Sequence, residues 1–392
     1  MSGAGGRPSG THGGVDPLRV SVVTPFGTTA GGAEGWLLNA IDLGLTQDNG
    51  FEVSAVVLAD GPLVEQMQVR GIPTAVVATP ASPAGIMARV PAVARALKQQ
   101  RPDVVVANGV KAQVVAAGAR GILRRPLVYV KHDHSFDASL AKPLGAAATA
   151  VVATALEVGQ PTGRADLIVI EPPRPPDPLP RPEAAVALAS LGLPASDERT
   201  LMMITRLVPY KGVDVAIDAL GLSAARGWRL VVIGGDDAAT PGETVRLRAL
   251  AERSGVAGRV SFLGSIPGAG RLVAAADALA VLTRPGGPRT PGREGYGITA
   301  TEAMLAAVPV IVAGEGPIAR RLRTPGGPAG IVLDAADPGA CAGALGRLDD
   351  PALRAAMGAN GRAAAVRAPG DSEVARAFAD VVRHAALVRS RS

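Results

Sequence analysis

The twelve residues Glu171–Pro182 read EPPRPPDPLPRP, and seven of them are proline. Proline fixes φ and has no amide to donate, so this run cannot lie inside a helix or a central strand. It reads as a semi-rigid, extended linker. On both sides of it, short aliphatic runs alternate with helical stretches. Before the linker they are Val20–Thr24, Val53–Leu58, Ala75–Ala78, Val104–Ala107, Leu127–Val130, Val151–Thr154 and Leu167–Ile170. After it they are Leu201–Thr205, Leu230–Gly234, Val260–Leu263, Leu279–Leu282, Pro309–Val312 and Ile331–Leu333. The runs are continuously apolar rather than alternating, which marks strands buried on both faces of a parallel sheet. Strands separated by helices make βαβ units.

The expected fold class is therefore α/β, with two Rossmann-like, doubly wound parallel-sheet domains facing across a cleft. The Gly/Ser/Thr-rich start, residues 1–17, reads as a disordered tail. Residues 18–171 form the first domain, 172–182 the linker and 183–370 the second domain. Residues 371–392 read as a C-terminal helix, free to pack back on the first domain.

A chain of 392 residues is too long for one ordinary core. Hydrophobic residues at 47% and charged residues at 19% exclude a disordered class. The formal net charge is +6, but the arginines are scattered and aromatics are only 3%. Base-stacking surfaces are thereby disfavoured, and no nucleic-acid partner is expected. An anionic ligand or the edge of an anionic membrane remains open as a partner. The single cysteine, Cys341, cannot form an intramolecular disulfide and fits a reducing compartment. The stretch Pro143–Val158 falls short of the ~20 apolar residues of a spanning helix, and the start lacks the apolar core of a signal peptide. A cytoplasmic location is expected, with peripheral association at the inner membrane face left open. Lysine occurs only five times, so a lysine at a motif position carries weight.

Two features of the second half carry chemistry. Thr205-Arg-Leu-Val-Pro-Tyr-Lys-Gly212 follows an expected strand, which places Arg206 and Lys211 at its carboxyl edge. Two cations there can clamp a diphosphate, arginine bidentately and lysine as a point charge; alone, they would read as solvated loop cations. The second feature is Glu294-Gly-Tyr-Gly-Ile-Thr-Ala-Thr-Glu302. Its glycines allow close approach of a ligand, and a helix beginning near Thr299 would offer free amides from Gly297, Ile298 and Thr299 to phosphate oxygens. Glu294 and Glu302 could accept hydrogen bonds from a hydroxyl-rich ligand. For Glu302 a purely structural alternative stands beside this, because Thr299-x-x-Glu302 fits a capping box.

Taken in order, Arg206-x4-Lys211-Gly, Val-Ile-Gly-Gly-Asp at 232–236, Val-Ser-Phe-Leu-Gly at 260–264, Glu294-x7-Glu302 and Pro309-Val-Ile-Val resemble the family 4 retaining glycosyltransferases, whose fold is the two-domain GT-B type. The resemblance covers the whole second domain. It implies that Arg206 and Lys211 hold the diphosphate of a nucleotide-sugar donor, that Glu294 contacts the donor sugar, and that Glu302 binds the ribose. Gly297, Ile298 and Thr299 would supply backbone phosphate contacts, and the segment Gly264–Ile266 the base-binding edge. In the first half, the resemblance implies that the loop Pro25–Gly32, with Gly31 and Gly32, lies beside the donor phosphates and acceptor. A plain βα turn is the alternative. Lys131-His-Asp-His-Ser-Phe-Asp137 places two of the four histidines at a strand end. By position His132 matches the histidine near the reacting sugar, with Asp133 beside it and His134 as a neighbour. No ligand set completes a metal site there.

The implied reaction is retaining transfer of a sugar from a UDP- or GDP-linked donor to an unspecified acceptor hydroxyl, with no cofactor and no metal, in bacterial glycan, glycolipid or secondary-metabolite biosynthesis. A sugar-nucleotide epimerase on the same fold and a non-catalytic binding or partner subunit are the rival readings. A dinucleotide oxidoreductase is disfavoured, because the loop after Val20–Thr24 lacks Gly-x-Gly-x-x-Gly. Sugar, base, acceptor and oligomeric state are left open.

Overall fold

The computed structural model of the protein describes residues 16–25, 27–28, 31–237, 240–285 and 292–388. Most of the 1–17 tail, part of the Pro25–Gly32 loop and 286–291 of the loop before Glu294 lie outside these. The first domain holds strands β1 (Leu18–Thr24), β2 (Phe51–Val57), β3 (Thr74–Val76), β4 (Val104–Asn108), β5 (Leu127–Lys131), β6 (Ala150–Ala153) and β7 (Ile168–Val169). They form one sheet in the order β3-β2-β1-β4-β5-β6-β7, with every pairing parallel. The second domain holds β8 (Arg199–Ile204), β9 (Trp228–Ile233), β10 (Val260–Phe262), β11 (Ala278–Val281) and β12 (Val310–Ala313). A two-stranded hairpin, β13 (Arg323–Thr324) and β14 (Gly327–Pro328), precedes β15 (Gly330–Leu333). The second sheet runs β10-β9-β8-β11-β12-β15, again all parallel. Each apolar run of the sequence overlaps one strand of these two sheets.

The strands are apolar throughout because both faces are covered. In the first domain Val20, Val22, Val104 and Val106 pack on one side, while Val23, Val105 and Ala107 pack on the other. In the second, Leu201, Met203 and Val232 belong to one core and Met202, Val231 and Leu279 to its opposite. This period of two places successive side chains in different cores.

The chain crosses between domains twice. The outward crossing is the proline-rich segment, and the structure shortens it: Arg181 and Pro182 already form the first turn of the helix Arg181–Ser190. Proline is tolerated in that turn because the first amides of a helix have no partner anyway. The return crossing leads into the helix Asp371–Val388, and the two crossings touch where the Arg174 amide donates to the Pro369 carbonyl, 2.8 Å. That helix packs on the first domain, burying Val374, Phe378, Ala379, Val382 and Ala385 against the core that contains Trp36, Leu37 and Ala40. Phe378 meets Trp36 edge-on at a centroid distance of 4.8 Å. A Cβ on Gly44 would lie 2.4 Å from the Ala375 carbonyl oxygen, so only glycine permits this approach.

Phe378→Ala leaves a cavity beside Trp36 and should destabilise the first domain by about 3–5 kcal/mol. Urea denaturation followed by Trp fluorescence measures this, and an unchanged midpoint would show that helix docking contributes nothing.

Candidate functional site

Strand order reverses between β1 and β4 in the first sheet and between β8 and β11 in the second. At such switch points, the loops from adjacent carboxyl edges diverge and leave a crevice. The second-domain crevice is built by the loops after β8 and β11. Gly212 takes φ +73°, and a Cβ there would lie 2.3 Å from the Leu282 carbonyl oxygen, so the loop after β8 seats directly on the end of β11. This delivers Lys211 to Glu294, 83 residues away, and the two side chains form a mostly buried ion pair. The Thr283 hydroxyl donates to the same carboxylate oxygen, 2.5 Å. Burial pushes the Glu294 carboxyl up, but Lys211, the Thr283 hydrogen bond and Arg206 outweigh it and hold the pKa below the ordinary range. Arg206 stands at the same edge with its side chain 64% exposed, paired with Asp237 and donating to the Tyr210 hydroxyl at 3.3 Å.

The helix after Glu294 spans Ile298–Leu305, and Gly297 caps it at φ +78° without a side chain. The amides of Ile298 and Thr299 are uncapped among the described residues. Thr299 lies inside the helix, so the capping box with Glu302 does not form. The reason is local: Gly297 takes the left-handed conformation, and the helix starts at the next residue. Glu302 instead projects against Gly270, where a Cβ would fall 1.9 Å from its carboxyl carbon. It makes no hydrogen bond among the described residues, and burial raises it from the ordinary 4.5 to about 7.

The first domain closes on this assembly from the other side. Gly31 and Gly32 open the helix Gly32–Asn39, and a Cβ on Gly32 would lie 3.1 Å from the Ile298 side chain. His132 directly follows β5, and its carbonyl oxygen lies 2.2 Å from where Gly295 would carry a Cβ. The His132 ring packs edge-on to Trp36, with centroids 5.5 Å apart. Its Nε2 is 2.6 Å from Asn108 Oδ1, while the Asn108 amide donates to the Ala33 carbonyl at 3.4 Å. That arrangement assigns the proton to Nε2. Burial pushes the imidazole down to about 4, so it is neutral at ordinary pH. His134 is placed differently. Its Nδ1 pairs with Asp137 Oδ2 at 2.8 Å, and Asp137 also holds the fully buried Lys131 at 2.5 Å. It belongs to the internal bracing of its own turn, beside Asp133, whose carbonyl also takes Lys131.

Sequence reading missed two groups. Glu34 follows the Gly-Gly pair and is 3% exposed, with Oε1 lacking a partner. Burial raises its pKa, and Arg206 across the crevice lowers it. Its only signal was a carboxylate in the first turn after a glycine pair. The second group ties the hinge to the Glu294 loop. The Arg321 guanidinium lies 3.8 Å over the Tyr296 ring and donates to Thr301 Oγ1 at 2.5 Å and the Gly297 carbonyl at 3.3 Å. The Tyr296 hydroxyl donates to Glu171 at 3.2 Å, and Arg320 donates to Glu157 of the first domain at 2.7 Å. These pairs are 125 and 163 residues apart, beyond any local pattern. Among the described residues, no cluster of His, Cys, Asp or Glu has the arrangement of a metal site.

Because the Glu302 pKa is raised, protonation favours the folded state. Its contribution is full below about pH 4.5 and is lost as pH rises through about 7. Glu302→Gln should therefore flatten the fall in Tm across this window, as followed by scanning fluorimetry. An unchanged pH profile would sink the assignment. Separately, Gly295→Val places a side chain against the His132 carbonyl and should hold the domains apart. If the crevice is catalytic, a misplacement near 1 Å costs roughly 100-fold in turnover, with Tm little changed; wild-type turnover would show that this contact does not set the geometry.

Residues 192–364 match the family model described as Glycosyl transferases group 1, and residues 45–158 match a Glycosyl transferase 4-like domain. A D-inositol 3-phosphate glycosyltransferase of Acidothermus cellulolyticus is 36% identical over 216 residues, 53% of this chain and 46% of the relative. One of the same description from Mycobacterium tuberculosis is 32% identical over 181 residues, 45% of this chain and 34% of the relative. The chain thus spans about half or less of these curated relatives. Among solved structures, Anabaena HepE in complex with UDP and glucose superimposes with a TM-score of 0.75 at 23% identity, covering 93% of this chain and 99% of that one. That likeness establishes the GT-B architecture. On the two family matches, one to each domain, together with the paired parallel sheets, the chain belongs to the glycosyl transferases group 1, of the family 4 type.

Proposed function

We propose that the protein is a retaining glycosyltransferase that moves a sugar from a UDP- or GDP-linked donor to an acceptor hydroxyl. The observation that carries this reading is the convergence of Lys211, Glu294 and Arg206 at the β8/β11 switch point, facing His132 and the Gly31–Gly32 loop. Neighbours that bind UDP-sugar donors, such as the Anabaena complex, support the donor class.

Breaking the bond between an anomeric carbon and a diphosphate builds negative charge on the leaving oxygens. Arg206, Lys211 and the amides of Ile298 and Thr299 are the groups that would stabilise it, without a metal ion. Lys211 is held by Glu294, so a diphosphate bound to Lys211 would lie next to this carboxylate, which supports a sugar contact for Glu294. Glu294 remains ionised because its pKa is lowered, so it accepts hydrogen bonds from sugar hydroxyls and orients the ring. Glu302 takes ribose hydroxyls. Neutral His132, with Nε2–H on Asn108, offers its surroundings to the reacting sugar and the acceptor. In a front-face reaction, the leaving phosphate takes the acceptor proton. A bacterial pathway for a glycan, glycolipid or secondary metabolite, with the enzyme in the cytoplasm, fits this chemistry. No helix among the described residues is long and apolar enough to cross a membrane.

The test is binding followed by turnover. Stabilisation by UDP or GDP in a thermal-shift assay with EDTA present should be lost in Lys211→Ala. A charged hydrogen bond contributes about 1.5–3 kcal/mol, roughly 10- to 100-fold in Kd. Glu294→Gln should retain nucleotide binding and lose donor consumption, and NMR of the product should report a retained anomeric configuration. Full activity in both variants, or inversion, would refute the reading.

A further inference from the structure

Asn108, the last residue of β4, is 1% exposed and uses both halves of its amide. Its Nδ2 donates to the Ala33 carbonyl at 3.4 Å, in the first turn of the helix Gly32–Asn39. Its Oδ1 lies 2.6 Å from His132 Nε2. The opposite orientation of the amide would set its oxygen against the Ala33 carbonyl oxygen. The helix carbonyl thus fixes the amide, and the amide fixes the imidazole: the proton sits on Nε2 and the lone pair on Nδ1. Nδ1 makes no hydrogen bond among the described residues, and it is not sealed in the interior as His134 Nε2 is. Trp36 packs edge-on against the ring. The charges acting on the ring are both on its own segment, Asp133 favouring the charged form and Lys131 opposing it, and burial outweighs them. Its neighbours from other elements carry no charge: Asn108, Trp36, the Thr154 hydroxyl that donates to the His132 carbonyl at 3.3 Å, and Gly295.

We propose that Asn108 is a positioning residue, which holds His132 in the Nε2–H tautomer so that Nδ1 accepts a hydrogen bond from a hydroxyl of the transferring sugar. This rests on the glycosyltransferase reading above. Positive charge builds on the sugar as its bond to the diphosphate breaks, and its hydroxyls then become stronger donors. A lone pair facing them is therefore worth more in the transition state than in the ground state. A ring N–H at the same place, or a charged imidazolium, would oppose that charge. The expected signature is an effect on kcat larger than that on KM. The amide of Asn108 touches neither sugar nor phosphate in this scheme. It acts through the ring, and through the ring it links the helix behind the Gly31–Gly32 loop to the reacting centre.

Nitrogen-15 histidine NMR of the full chain reads the tautomer without substrate, and His132→Gln identifies the His132 signals among the four histidines. Wild type at neutral pH is expected to show a protonated Nε2 and a bare Nδ1. Asn108→Asp sets a carboxylate against Nε2 and favours the charged ring, so the imidazole should titrate nearer its ordinary 6.5 than about 4. Consumption of UDP-glucose, with GDP-glucose in parallel, should then lose kcat as pH falls through the new value, where wild type is flat. Asn108→Leu should mix the tautomers and lower kcat roughly tenfold, the worth of one hydrogen bond, while nucleotide stabilisation in a thermal-shift assay is kept. A bare Nε2 in wild type, or a folded Asn108→Asp with the wild-type pH profile, would overturn the proposal. Wild type that carries the expected tautomer but consumes neither donor would instead fault the glycosyl-transfer reading, and the sugar contact with it.

Discussion

The ion pair between Lys211 and Glu294 is the interaction around which the crevice is organised. It joins the loops after β8 and β11, which leave the same edge of a parallel sheet on either side of the point where strand order reverses. Both side chains are largely buried, at 16% and 22% exposure. Such a pair adds little net stability compared with apolar residues of equal size. Removing one partner, however, leaves a buried charge and typically costs about 3–5 kcal/mol. Its value lies in position. It keeps a cation and a carboxylate within one ligand's reach, and it sets the direction of the Gly295–Gly297 turn that opens the next helix.

The first domain meets that turn through backbone, not through long side chains. The His132 carbonyl sits against Gly295, and the Gly31–Gly32 loop approaches Ile298. At Gly295 the backbone contact leaves no space for a side chain, whereas at Gly32 the end of the Ile298 side chain would have to give by only a few tenths of an ångström. Behind the turn, Arg321 clamps Tyr296 and Gly297, Tyr296 reaches Glu171 at the head of the linker, and Arg320 reaches Glu157. The hinge and the Glu294 loop therefore share one hydrogen-bonded network. The C-terminal helix adds a second tie, since it packs on the domain opposite to the one it follows in sequence.

The two ends of the first domain have different characters for the same topological reason. Carboxyl ends of parallel strands feed loops and helix starts, which favour anions and glycines. Amino ends receive helix finishes, and here the C-terminal arginines of Val110–Leu123 and the start of β5 collect.

Strand positions were legible in the sequence because burial on both faces demands unbroken apolar runs, a constraint that each segment satisfies alone. The division into two domains was legible because seven prolines cannot continue a sheet or a helix interior, although Arg181 and Pro182 already belong to the next helix. Arg206, Lys211, Glu294 and Glu302 stood out as a set through the ordered resemblance to the family 4 glycosyltransferases, since from spacing alone the two cations read as solvated loop residues and Glu302 as a possible cap. The capping-box alternative for Glu302 was left open by the sequence, since whether Thr299 or Gly297 caps depends on the left-handed turn at Gly297, set where Ile318 and Arg321 pack. Glu34, Tyr296, Arg320 and the role of Gly295 were not legible. Their partners lie on other elements, and no local period records a contact between residues more than 100 positions apart. The sequence by itself determined which segments are strands, which loops carry charge and where the chain divides. Tertiary structure alone decided which carboxylate holds Lys211, which histidine faces the crevice and which glycines the domains close upon, because those depend on distances between segments that only folding brings together.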